Sequence, residues 1–308
     1  MLSRILGFVA AALAGLTGSH ASAAARQVFD VPANGLVEVR LLDRWAKLRI
    51  DPDFLDARIV NASLAQSLNL RGSLIGGGVR FGKEELNAKS RGVPFAIESA
   101  RAKKSRVHWF DRDVSASADG IISPGLLPFA QVRFRLREAS AASVTRALPT
   151  ARPGKWGFTG GFAKLDVDGG QARIGFALDR EHSIASAGLG TYLMQHHGGS
   201  FLGPTVDLPI RYGVQRPMRR MHLKRPLMIA SLAIQDVFVR VDSGMSVPEA
   251  DAIEDSEEVI VVGKRKKPLP LTLSVGSGAL INCSDLTFKN AEAKVELTCR
   301  RLAEVAAI

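Results

Sequence analysis

The chain has 308 residues, 46% of them hydrophobic and 23% charged, which is enough apolar material for two cores and too much for an intrinsically disordered polymer. Its formal net charge is +11, a balance that suits anionic surfaces and that also serves solubility. Two cysteines are too few for a disulfide-dense scaffold or a cysteine-built zinc site.

Residues 1–23 have the three parts of a secretory signal: Arg4, an apolar run from Ile5 to Leu16, and the Ala21, Ser22, Ala23 cleavage pattern ahead of Ala24. The run is shorter than the roughly 20 residues needed to span a bilayer. The expectation is export, to the periplasm in a bacterium, with no transmembrane segment after cleavage.

From 24 to 145 the pattern predicts a first lobe. Gly35 to Leu42 reads as a strand, Asp43 and Arg44 as a turn, and Trp45 to Ile50 as a strand delivering Asp51. Asn61 is a fitting N-cap for a helix over Ala62 to Leu70. Val79 to Phe81 and Val93 to Ile97 read as a strand pair. Arg101, Lys103, Lys104 and Arg106, ahead of His108, Trp109 and Phe110, read as a solvated loop and not as a nucleic-acid surface. Ile121 to Leu127 then leads into a strand from Gln131 to Leu136. The Ala-, Ser-, Thr- and Pro-rich stretch from Glu138 to Gly157 is the natural linker.

The second lobe, 146–308, repeats the order. Phe162 to Val167, the turn Asp168, Gly169, Gly170, and Gln171 to Leu178 form a hairpin delivering Asp179. Ser186 precedes a helix over Ala187 to His197, weakened by Gly188 and Gly190. Ile210 to Val214 with Met221 to Leu227 read as a strand pair. An insertion around 243–270 is acidic from Glu249 to Glu258 and basic from Lys264 to Lys267, around a strand-like Val259 to Val262, and reads as an exposed excursion. Ser274 to Leu280 leads into a closing hairpin, Ser284 to Phe288 and Ala293 to Thr298. Cys283 and Cys299 flank that hairpin, where cross-strand positions come close enough for a disulfide. Glycine is abundant and long amphipathic helical periods are scarce, so the class is all-β with a few short helices.

Two copies of strand, turn, strand, Asp, each closed by an apolar-apolar-small segment and a final strand pair, resemble the aspartic peptidases, in particular their retropepsin-like and pepsin-like bacterial forms. The resemblance spans nearly the whole exported chain. It implies two β-barrel-like lobes related by an internal repeat, with a cleft between them and Asp51 and Asp179 as the catalytic pair. In such a pair two carboxylates at hydrogen-bond distance share one proton and activate a water. The family's Asp-Thr-Gly is here Asp51, Pro52, Asp53 and Asp179, Arg180, Glu181, so both lobes lack the Thr and the Gly. Pro52 fixes φ and removes a backbone donor. Arg180 favours an ionised Asp179 and opposes proton sharing. The resemblance therefore implies a degenerate, peptidase-like protein that holds an extended polypeptide in the cleft without cutting it. Two alternatives stand beside it: an active endopeptidase using Asp51 and Asp179, and a basic envelope-binding protein without catalysis. Asp is also an ordinary turn residue, and both carboxylates would serve that purpose alone.

Other chemistries are poorly supported. His182, His196 and His197 lack convergent metal-ligand spacing, and no cofactor is expected. Val275, Gly276, Ser277 and Gly278 fall one position short of a nucleophile elbow. Gly76, Gly77 and Gly78 lack the Lys and Ser/Thr of a phosphate loop and read as a turn.

Overall fold

The computed structural model describes residues 28–53, 57–73, 77–81, 84–98, 100–151, 162–168, 170–241, 257–260 and 271–301. The segment expected to be a secretory signal and most of the 243–270 stretch read as an insertion lie outside them. The fold is all-β, with two α-helices among the described residues.

The first half is built around the hairpin of β2 (Leu36–Leu41) and β3 (Arg44–Ile50). Val37, Val39 and Leu41 alternate inward against exposed Glu38 and Arg40, the period-2 signature of a half-buried strand. β3 lies parallel to β8 (Gly120–Ile122), with Ile50 opposite Ile122. β4 (Arg58–Val60) runs antiparallel to β8 and parallel to β7 (Lys103–Trp109). β7 pairs with the long β6 (Glu84–Ile97), and β6 returns to β2, so these strands close into a barrel without free edges. β5 (Gly77–Phe81) forms a hairpin with the start of β6 and carries on its other side β17 (Glu257–Ile260), the one described part of the insertion.

The second half repeats this pairing scheme as an open sheet. β11 (Ala163–Val167) pairs with β12 (Gly170–Ala177), β12 lies parallel to β18 (Leu271–Gly276), and β13 (Ile184–Ala185) runs antiparallel to β18 and parallel to β16 (Leu232–Arg240). β16 pairs with β15 (Gln215–Ile229), and β15 with β14 (Ser200–Pro209). Each half places one helix after its short strand: α1 (Ala62–Ser67) follows Asn61, and α2 (Ala187–His197) follows Ser186, whose hydroxyl accepts the Leu189 N–H. α2 ends in Gly198 at φ 65°, the left-handed closing position that favours glycine.

A third sheet is shared. β1 (Val28–Asp30) and β9 (Gln131–Arg135) from the first half join β19 (Cys283–Lys289), β20 (Lys294–Arg300) and β10 (Ser143–Pro149) in the order β1, β9, β19, β20, β10. The expected disulfide is formed within it, between Cys283 and Cys299 on opposite strands. One large core runs through both halves, and a smaller one joins Ile59, Phe110 and Ile121 to Ile184, Tyr212 and Met218.

Local differences from the sequence reading have plain causes. The segment read as a linker contains β10, which pairs along the open edge of β20 and buries Leu148. Lys103, Lys104 and Arg106 of the basic run lie on β7 and not in a loop, with Arg101 just ahead of it: Val107 and Trp109 face the core and hold the strand, leaving the cations outside. Gly77 and Gly78 belong to β5, which pairs with the Glu84 to Ala88 end of β6 and not with Val93 to Ile97. Ile210 to Val214 is the tip joining β14 to β15, since Tyr212 at φ 55° and Gly213 at φ 75° turn the chain there.

Candidate functional site

The two Asp-bearing loops leave corresponding strands and approach each other. Asp51 follows the last residue of β3, and its N–H donates to the Ile122 carbonyl at 3.0 Å. Its carboxylate accepts the Asp53 N–H at 2.9 Å, an Asx turn that aims the side chain back over its own loop. Pro52 at the centre of that turn needs no donor.

The second half diverges here. In the first half Ile50 stands opposite Ile122, two residues before the 3₁₀ turn Pro124–Leu126. In the second half Phe176 stands opposite Val275, two residues before the 3₁₀ turn Ser277–Leu280. The antiparallel partners agree, since Ile59 faces Ile121 as Ile184 faces Ser274. Phe176 is thus the counterpart of Ile50, and the counterpart of Asp51 is Ala177. Asp179 lies two residues further along, exposed on the loop. Among the described residues it forms no side-chain hydrogen bond or ion pair.

The centre between the halves is occupied by a different carboxylate. Asp53 is buried and receives two guanidinium groups, Arg180 at 2.7 Å and Arg211 at 3.0 Å. Arg180 also donates to the Ser274 hydroxyl and, at 2.9 Å, to the Ile210 carbonyl. Arg211 and Ile210 belong to the β14–β15 tip, so this network ties the first-half loop, the second-half loop and the tip to one another. Tyr212 of the same tip is buried and its ring lies 5.1 Å from that of Phe110. Asp53 fits because Gly175 on β12 has no side chain: a Cβ there would collide with the carboxylate. The Phe176 N–H also reaches the Pro52 carbonyl, at 3.5 Å.

Two cavities meet at the Asp51 and Asp179 loops. One of about 330 Å³ is lined by Asp51, Asp53, Asp179, Arg180 and the tip residues Arg211 and Tyr212. The other, about 210 Å³ and on the side of the shared sheet, is lined by Asp51, Pro52, Asp179, Phe134 and Leu136 among others. Asp51 is pushed up to about 7, first by its burial, then by the charge of Asp53 and more weakly by that of Asp179; the Asp53 N–H and Arg211 pull the other way. Near neutrality this carboxyl is therefore divided between acid and carboxylate.

Of the residues singled out from the sequence, Asp51 and Asp179 do come together, and Arg180 turns toward Asp53 instead of Asp179. Asp53 is named in the sequence only as a further carboxylate in the Asp51 triplet, and Ala177, Gly175 and Arg211 are not picked out there. A signal existed for one of them: Asp51 precedes Asn61, at the start of α1, by ten residues, whereas Asp179 precedes Ser186 by only seven. No group of three or more His, Cys, Asp or Glu residues suited to a metal ion occurs among the described residues.

No protein-family model and no curated protein matches the sequence. Among solved structures, the crystal structure of the aspartic proteinase from Irpex lacteus is similar at a TM-score of 0.40 and 8% identity, over 86% of this chain and 94% of that one.

Proposed function

We propose that this is an exported, aspartic-peptidase-like protein whose peptide-cutting centre has become a binding cleft for an extended polypeptide segment. The observation that carries the reading is Ala177 at the register position of Asp51. A water held by two symmetric carboxylates needs both at their strand ends, and one end carries a methyl group. The surroundings support the same reading. Asp53, Arg180 and Arg211 form an ion network where such a water would be polarised, and the Ile210–Gly213 tip lines the cavity beside it. A polypeptide entering the larger cavity would displace this tip and pair its main chain with what it leaves.

One observation favours a second reading, an active peptidase. Asp51 is raised to about 7, in part by the charge of Asp179, so at acidic pH it presents a protonated carboxyl beside the second loop. A cleavage assay on unfolded protein substrate at acidic pH, with Asp51→Asn and Asp179→Asn, separates the two. No cleavage by the parent chain, together with saturable binding of an extended peptide, is expected. Cleavage lost in both variants would establish the peptidase instead.

A further inference from the structure

The outer face of the first-half barrel carries chemistry that the cleft does not use. Four neighbouring strands, β7, β6, β2 and β3, present one outward face: Trp45, Arg40 and Ala96 lie in one row across β3, β2 and β6, while Lys104 and Arg106 stand on β7 beside Pro94 and Gly92, further along β6. The next row adds Lys47 beside Glu38. Glu98 is exposed beside Glu38, and the Asp119 carboxylate accepts the Lys47 N–H, so the carboxylates gather at the Lys47 end and the excess of positive charge rests on Arg40, Lys104 and Arg106. Arg40, Lys104 and Arg106 form no ion pair with any described residue; Arg106 donates to the Ser90 hydroxyl, and Arg40 lies 6.0 Å from the Trp45 ring.

Trp45 is 57% exposed, the most exposed of the large hydrophobic side chains described. An indole in that position costs free energy in water unless something covers it. Gly92 leaves room for the Lys104 stem, whose Cε would lie 3.2 Å from any Cβ added there. The result is a cationic barrel face with one exposed indole.

We propose that this face docks the protein on an anionic lipid surface, with Trp45 at headgroup depth and Arg40, Lys104 and Arg106 against lipid phosphates. Basic groups close to an anionic leaflet each contribute to association, and tryptophan favours the headgroup layer because its ring is apolar and its N–H is not. A soluble polyanion would satisfy the cations and leave the indole without a purpose, which is why lipid is the occupant argued for. The inference is independent of the cleft.

The test uses protein beginning near Ala24, so that the N-terminal apolar run cannot contribute, and vesicles of phosphatidylglycerol in phosphatidylcholine. Binding that weakens with added salt and is absent on pure phosphatidylcholine is expected, with a blue shift in emission that Trp45→Phe abolishes. The double variant Arg40→Glu, Lys104→Glu should partition at least about tenfold more weakly. Arg300→Glu, Arg301→Glu, with the same net charge but reversed on the far end of β20, should bind as the parent does. The proposal is overturned if both double variants lose binding equally, if bound protein shows no Trp45-dependent shift, or if polyphosphate in solution binds while the vesicles do not.

Discussion

The two halves of the molecule follow one pairing scheme up to the last residues of their central strands and separate there. Ile50 and Phe176 occupy equivalent places against Ile122 and Val275, but the next residue is Asp51 in one half and Ala177 in the other. The connections between the flanking strands, 51–57 and 178–183, differ in length by one residue. Strand pairing is fixed by core side chains and main-chain hydrogen bonds, which do not depend on whether the following residue carries a carboxylate. The scaffold therefore survives the loss of a symmetric pair, and the space between the halves is filled by an asymmetric network from Asp53.

That asymmetry predicts its largest effect at Asp53. Asp53→Ala leaves two enclosed guanidinium groups without their common partner and should cost about 3–5 kcal/mol in denaturant unfolding. Asp179→Ala, on the exposed side of the other loop, should change stability by less than about 0.5 kcal/mol. Equal losses at the two positions would break the comparison.

Next in size is the device the halves share. Replacing both Cys283 and Cys299 by Ser opens a loop of sequence separation 16 and should lower stability by about 3 kcal/mol, read from the denaturation midpoint of oxidised protein against the variant. A loss confined to fraying of β20 in hydrogen exchange, without a global shift, would count against the shared sheet as the tie between halves.

Asp51 predicts an unusual pH dependence. Its folded value of about 7 lies above the unfolded value of 3.8, so the folded state binds more protons between them. Stability contributed by this carboxyl is complete below about pH 4 and is lost as pH rises through 7. Asp51→Asn should flatten that slope and stabilise the protein at pH 8 by on the order of 2 kcal/mol. His108 acts in the opposite sense. Burial and the nearby Arg106 and Arg58 lower it from 6.5 to about 4, so its contribution is present above the unfolded value and is lost as pH falls through about 4. The residue in the equivalent place in the second half is Phe238, since Ile59 faces His108 as Ile184 faces Phe238. His108→Phe should remove the acid-side loss, an effect on the order of 1 kcal/mol in unfolding curves at pH 4.5 compared with pH 7.

Much of the fold was legible. The β2–β3 and β11–β12 hairpins, the Ser186-capped start of α2 and the closing disulfide hairpin follow from local signals, whereas Asn61 stands at the start of α1 without capping it: its side chain binds the 114–118 loop, and Asp113 accepts the Ser63 N–H. The site was legible only in part. Asp51 and Asp179 could be picked out as loop carboxylates, but which of them stands at a strand end depends on the register of parallel pairs separated by more than 70 residues, and parallel register leaves no local mark.

The sequence by itself determined the strand-rich class, the order of elements in each half and the chemistry available at each loop, because those rest on side-chain periodicity and on residues near in the chain. Only the tertiary structure decided that Asp53, not Asp179, holds the centre. Its partners Arg180 and Arg211 lie 127 and 158 residues away, and its space exists only because Gly175 on the opposing half lacks a side chain. Burial makes that pairing obligatory, since a carboxylate taken out of water must be met by cations wherever in the chain they come from.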